Sequence, residues 1–82
     1  MSKYMVWQSN ETPKKMDICT EVKWALERFA NKYGRPTHVD VHPSVVKEVK
    51  ANFPDISVDA DDLIFSKSII NVYGEFNVKE EL

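Results

Sequence analysis

Hydrophobic and polar positions follow two different periods along this chain of 82 residues. Residues 3–8 (KYMVWQ) alternate and are rich in residues that favour strands, so they predict an N-terminal strand. Between about Met16 and Tyr33, apolar residues recur three or four positions apart, as on one face of an amphipathic helix. Gly34 and Pro36 predict the end of that helix, because proline cannot continue it.

Capping residues mark the start of this helix and of a second one. Asp17 is a candidate N-cap of the first helix, and Thr12 is the alternative. Residues 37–42 (THVDVH) alternate strictly and predict a strand. A second helix is expected directly after them, with Pro43 in its first turn and His42 or Ser44 near its cap.

The last third of the chain is typical of strands. Three candidates are DISVD (55–59), DLIFS (62–66) and IINVYGEFNV (69–78). In the final strand the apolar side chains share one face, which predicts a sheet covered on one side only; they are Ile70, Val72, Phe76 and Val78. Gly74 lies among them and predicts a bulge or a kink.

These elements give the order β-α-β-α-β-β-β. The predicted fold is α+β and two-layered, with two helices packed on one face of a mixed, mostly antiparallel sheet. The first half allows a right-handed parallel crossover, and the C-terminal strands are expected to form an antiparallel meander. Residues 1–15 are interpreted as an N-terminal strand, or arm, with a polar tether, and residues 16–82 as a single small domain.

Composition narrows the classes of function. The net charge is −2 and basic residues are mixed with acidic ones, so nucleic-acid binding, which needs a basic surface, ranks last. The single cysteine, Cys19, excludes an internal disulfide and suits a reducing compartment. The start lacks the pattern of a signal peptide, and no segment is apolar enough to span a membrane. We therefore expect a cytoplasmic protein without membrane contact.

One motif offers metal ligands. His38, Asp40 and His42 project from one face of a strand, and imidazole with carboxylate is a ligand set for a divalent transition metal. The two ends of this triad lie about 13 Å apart along a strand, so they do not converge on one ion. An exposed polar strand face is therefore the favoured interpretation, and Asp40 with either histidine is the favoured pair if a metal binds.

Other sequence motifs for ligand binding or catalysis are weak. The acidic residues of the last third do not match an EF-hand loop and are interpreted as turn residues; they are Asp55, Asp59, Asp61 and Asp62. With two glycines, the chain has no phosphate-binding glycine loop. Cys19 is interpreted as a small buried residue and not as a nucleophile. An enzyme is therefore not favoured, and no cofactor is expected.

The more informative residue is Trp24. Helical periodicity places it opposite the apolar face, near Arg28, and exposed tryptophan and arginine are enriched in binding hot spots. Together with Tyr4 and Trp7 of the N-terminal strand, they predict a partner interface. Two alternatives remain open: Arg28 covers the ring of Trp24, or the N-terminal strand wraps over that helix face.

The N-terminal strand points to the same function. A short hydrophobic arm followed by a polar tether can pair with a neighbouring chain, and exchange in a homodimer shelters its edge. We therefore expect a small non-catalytic protein-interaction or structural domain that forms a homodimer. The alternative is a metal-binding protein or metalloenzyme that uses His38, Asp40 and His42.

A resemblance adds to this expectation. The segments VHPSVVKEVK (41–50) and IINVYGEFNV (69–78) resemble a helix-then-strand stretch of phage capsid-type proteins. The resemblance is confined to the C-terminal half, and its motifs are not specific. It implies a structural, non-enzymatic role and transfers no residue.

Overall fold

The structure is a computed structural model that describes residues 2–9 and 17–75. Within these residues it contains four strands and two α-helices: β1 (Ser2–Gln8), α1 (Ile18–Lys32), β2 (Pro36–Val41), α2 (Val46–Asn52), β3 (Ser57–Ala60) and β4 (Ile69–Glu75). A 3₁₀ turn at Pro43–Val45 leads into α2. The predicted α+β class and the order of its elements are confirmed. The segment DLIFS differs from the prediction, because it runs through turns between β3 and β4.

The strands form one mixed sheet in the order β1-β4-β2-β3. Strand β4 pairs antiparallel with β1 on one side and with β2 on the other, and β2 pairs in parallel with β3. The expected C-terminal meander is therefore wrong: β4 does not pair with β3 but inserts between β1 and β2. Tyr73 of β4 accordingly has Tyr4 and His38 as its cross-strand neighbours.

Both helices lie on the same face of the sheet, and the handedness of the connections explains why. The paths β1-α1-β2 and β2-α2-β3 join strands of the same direction and move the same way across the sheet. Connections of this kind are almost always right-handed, which places successive helices on one face. Helix α1 packs on β4 and β2, and α2 packs on β3.

Side chains at the helix ends fulfil the predicted capping. Asp17 accepts hydrogen bonds from the Cys19 N–H at 3.1 Å and from the Thr20 hydroxyl at 3.0 Å, so it caps α1. The alternative cap, Thr12, lies outside the described residues. After α1 the chain turns at Gly34, whose φ of 150° is a conformation that favours glycine.

The core lies between the helices and the sheet. Its fully buried residues come from α1, β2, α2 and β4 at the predicted periods; the largest are Phe29, Ile70, Val22, Val39, Val41, Val49 and Val72. Each strand gives alternate residues to this layer, since side chains alternate between the two faces of a sheet. Phe76 and Val78, which were predicted to continue the apolar face of β4, lie outside the described residues.

Gly74 allows a close approach of backbone and side chain. A β-carbon at this position would lie 2.7 Å from Phe29 Cε1 and 2.7 Å from Pro36 Cα, and it would overlap the Arg35 carbonyl oxygen. The register between β2 and β4 shifts at the same level, between Pro36 and His38. An irregularity therefore lies at the level of Gly74, but it belongs to β2 and not to the final strand for which a bulge or kink was predicted.

We expect Gly74→Ala to destabilise the domain by about 1–3 kcal/mol, because the backbone of β2 must move to admit the methyl group. The free energy of unfolding, measured by urea denaturation, checks this expectation. Glu75→Ala, at the exposed neighbouring position, is the control and should change stability by less than about 0.5 kcal/mol. Equal stability of Gly74→Ala and the parent protein would contradict the expectation.

Candidate functional site

The face of the sheet opposite the helices carries mostly polar and aromatic side chains, contributed by all four strands. Two rows cross it in register: Tyr4, Tyr73, His38 and Ser57 form one, and Val6, Asn71, Asp40 and Asp59 form the other. No helix of the described segments lies on this face. We call it the open face, and the strands beneath it fix the relative positions of its side chains.

Three potential metal ligands meet on the open face. His38 Nε2 lies 2.6 Å from Asp40 Oδ1 and 3.6 Å from Asp59 Oδ2, and one ligand atom from each residue lies within 4.8 Å of the others. His38 and Asp40 share a face because they are two residues apart on β2, and Asp59 is the direct neighbour of Asp40 on β3. We call these three residues the His38 cluster.

The predicted triad is brought together only in part. His38 and Asp40 meet, but His42 lies at the start of the 3₁₀ turn, where its Nδ1 accepts a hydrogen bond from the Ser44 N–H at 3.1 Å. The same nitrogen lies 2.8 Å from Ser44 Oγ. Because Nδ1 caps this turn, His42 has a structural role. Asp59, from the neighbouring strand, occupies the place that the sequence interpretation gave to His42.

Tyr73 holds the carboxylate of Asp40 from the neighbouring strand. Burial raises the pKa of the Tyr73 hydroxyl, and its hydrogen bond to Asp40 raises the pKa further. The hydroxyl therefore stays protonated near neutral pH and donates to the carboxylate. The Tyr73 ring lies 5.0 Å from the Tyr4 ring and 5.4 Å from the His38 ring, so ring contacts connect β1 to the His38 cluster.

Asn71 lies on the open face between an apolar residue and an acidic one. It is 9% exposed and has Val6 and Asp40 as its cross-strand neighbours. Its side chain makes no hydrogen bond to another described residue. Its amide atoms therefore contact solvent, because no side-chain nitrogen or oxygen atom among the described residues is both buried and without a partner.

The second feature of the surface is the outer edge of β1. The Ser9 N–H donates to the Ser68 carbonyl at 2.9 Å, so odd-numbered residues of β1 direct their peptide groups towards β4. Tyr4, Val6 and Gln8 therefore direct their N–H and C=O groups away from the sheet. Their side chains are also exposed, with Tyr4 at 50% and Val6 at 54%.

Helix α1 has exposed side chains near this edge. Trp24 is 50% exposed, as the helical periodicity predicts, and Arg28 follows one turn later. A groove of about 330 Å³ runs along the edge beneath the helix, and it is lined by Met5, Val6, Trp7, Gln8, Arg28 and Lys32. We call the outer edge of β1 together with Trp24 and Arg28 the β1 edge surface.

Trp7 has a different position from the other predicted interface residues. It projects to the helix side of β1, where its indole N–H donates to Glu21 Oε1 at 3.0 Å. Glu21 is 4% exposed, so this hydrogen bond satisfies a carboxylate that is otherwise removed from water. Trp7 therefore attaches β1 to α1, while Tyr4, Trp24 and Arg28 are on the surface.

Cys19 lies beside two carboxylates and is partly buried. Burial raises the pKa of its thiol, and the negative charges of Glu48 and Asp17 raise it further. Its Sγ lies 3.9 Å from Glu48 Oε2. A cysteine nucleophile needs a lowered pKa, so this environment favours the structural role expected from the sequence.

Two features of the surface were not anticipated. Asp59 was interpreted as a turn residue, although the alternation of DISVD was a signal that Ser57 and Asp59 share one face of a strand. Leu63 and Phe65 are 89% and 85% exposed, in the segment predicted to be a strand. The turns around Ile64, which is buried between them, direct both side chains outward.

Comparisons with protein-family models, with curated proteins and with solved structures give no match to this chain. Nothing therefore extends the resemblance of the C-terminal half to phage capsid-type proteins. Neither helix of the described segments has the length and apolar character needed to cross a membrane.

We expect Trp7→Phe to destabilise the domain by about 1–3 kcal/mol, because it leaves the buried carboxylate of Glu21 without its donor. Trp24→Phe is the matched control; the exposed Trp24 ring has no hydrogen-bonding partner among the described residues, so the effect should stay below about 0.5 kcal/mol. Urea denaturation followed by circular dichroism compares the two free energies of unfolding. Equal losses in both variants would show that the hydrogen bond contributes no specific stability.

Proposed function

We propose that this protein is a small non-catalytic interaction domain that forms a homodimer through the outer edge of β1. The observation that carries the proposal is an edge strand seven residues long whose residues Tyr4–Trp7 are apolar. It has no charged residue from Tyr4 to Gln8, and no described strand pairs with its outer side. Such an edge is a template for pairing with another chain.

The opposite edge of the sheet supports the choice of β1. Strand β3 has four residues, and Asp59 projects from it. Asp55 and Asp61 flank this strand in the sequence. Short length and charge are the usual protection of an edge against pairing. β3 is short and acidic, whereas β1 has seven residues and one charged residue, Lys3, near its start, so β1 is the less protected edge.

A two-fold axis gives β1 a complementary partner in a second copy of itself. Antiparallel pairing with full overlap centres on Met5 and places Tyr4 opposite Val6 of the second copy. Both residues direct their peptide groups outward, so they form the hydrogen-bonded pairs that such a ladder needs. Their half-exposed side chains then cover each other on the open face, where an aromatic and a β-branched residue form a favourable pair.

The same axis brings together the exposed residues of α1. The Trp7–Glu21 hydrogen bond fixes the level of the helix against the strand. Met5 lies two residues before Trp7, a distance of about 6.6 Å along β1. Helix α1 runs antiparallel to β1, so the same distance corresponds to about four helical residues after Glu21. The axis therefore passes near Ala25, with Trp24 and Arg28 on either side of it.

In the dimer each Trp24 faces Arg28 of the second copy. A guanidinium over a tryptophan ring contributes about 0.5–2 kcal/mol, depending on how completely water is removed. Two Arg28 side chains approach each other in the symmetric dimer, and the contact with a Trp24 ring gives each positive charge a favourable partner. The exposed Trp24 and the unpaired edge thus belong to one self-complementary surface, the β1 edge surface.

We expect Val6→Pro to convert the dimer into a folded monomer. Proline removes the outward N–H of residue 6 and leaves the hydrogen bonds between β1 and β4 intact. Native mass spectrometry and analytical ultracentrifugation measure the oligomeric state, and circular dichroism measures folding. Val6→Thr, which keeps the N–H and a β-branched side chain, is the control and should remain a dimer. A parent protein that is monomeric at its highest soluble concentration would refute the proposal.

We expect Trp24→Ala and Arg28→Ala each to weaken dimerisation by about 1 kcal/mol or more, without a comparable loss of monomer stability. Because the two side chains contact each other across the axis, the double variant should lose less than the sum of the single losses. Sedimentation equilibrium gives the dissociation constants. Strict additivity would show that the two residues do not meet, and unfolding of Trp24→Ala would show that Trp24 supports the core.

A further inference from the structure

We propose that the His38 cluster binds a divalent first-row transition-metal ion, with His38 Nε2 and one carboxylate oxygen each from Asp40 and Asp59 as ligands. This proposal does not depend on dimerisation, because the cluster lies on β2 and β3 and the proposed dimer uses β1.

The ligand set defines the kind of ion. One imidazole nitrogen with two carboxylate oxygens suits Zn²⁺, Co²⁺, Fe²⁺ and Mn²⁺, whereas Ca²⁺ and Mg²⁺ prefer sites made of oxygen alone. Three protein ligands also leave a coordination position for water. For these donors the affinity for Zn²⁺ is expected to exceed that for Mn²⁺.

The distances fit an ion after a small adjustment. Two ligand atoms about 2.1 Å from a tetrahedral zinc ion lie about 3.4 Å apart. His38 Nε2 and Asp59 Oδ2 are already 3.6 Å apart. Asp40 Oδ1 is closer to Nε2, at 2.6 Å, which is the length of a hydrogen bond. Metal binding replaces that hydrogen bond, leaves the imidazole proton on Nδ1 and requires the Asp40 carboxylate to rotate outward.

The sheet holds the ligands in place before an ion arrives. Asp40 and Asp59 are direct neighbours on parallel strands, and His38 is on the same face of β2 as Asp40. Tyr73 donates a hydrogen bond to Asp40 and so acts as a positioning residue for this ligand. His38 and Asp40 are partly buried while Asp59 is exposed, which leaves a path for the ion from solvent.

The test is a titration of the full chain with Zn²⁺ by isothermal calorimetry, with the visible absorption of Co²⁺ as a spectroscopic signature of coordination. We expect one ion per chain. Asp59→Asn should weaken binding at least about tenfold, and Tyr73→Phe should weaken it about tenfold through the loss of its hydrogen bond to Asp40. Asp59 is exposed, so Asp59→Asn is expected to fold normally, as circular dichroism will show.

Two control variants separate this site from other metal ligands in the chain. Cys19→Ser removes a ligand from the other described group that can approach one ion, Asp17, Cys19 and Glu48. His42→Ala removes the second histidine of THVDVH. Both should bind Zn²⁺ as the parent protein does. Failure of the parent protein to bind Zn²⁺ or Co²⁺, or equal affinity in Asp59→Asn, would overturn the proposal, and so would a loss of binding confined to Cys19→Ser.

Discussion

The constraint that governs this molecule is that its two helices cover only one face of a four-stranded sheet. Right-handed connections place α1 and α2 on the same side, so the strands are apolar towards the helices and polar or aromatic on the open face. Polar side chains on that face must therefore find their hydrogen-bonding partners among one another. Tyr73 does so by bonding to Asp40, and His38 by lying between two carboxylates. The His38 cluster thus arises from strands that a larger domain would cover with further helices.

Local features of the fold could be predicted from the sequence, and non-local ones could not. The period of three to four residues identifies α1 and the exposure of Trp24, and Asp17 marks the start of the helix, because these depend on neighbours within a few positions. The position of β4 depends on a pairing between Tyr4 and Tyr73, about which no local pattern carries information. A regular two-residue alternation predicts which side chains share a face and not which strand lies alongside.

The candidate site shows the same division. The pair His38 and Asp40 follows from alternation within one strand, so the sequence was sufficient to identify it. Asp59 becomes their neighbour only through the parallel pairing of β2 and β3, and His42 leaves them because the chain turns at Pro43. In the same way, the assignment of Trp7 to an outward surface could not anticipate that Glu21 would be buried beneath α1 and would bind its indole.

The position of β4 also determines when the domain can be completed during synthesis. It is the last described strand in the chain, yet it lies second in the sheet, so β1 has no neighbouring strand until Ile69–Glu75 leaves the ribosome. At about 5–20 residues per second, the nascent chain carries an unpaired apolar strand for several seconds. During that interval β1 has no paired strand on either side, and β2 has no strand on the side that β4 will occupy. A strand from another nascent chain can therefore pair with β1 before β4 does.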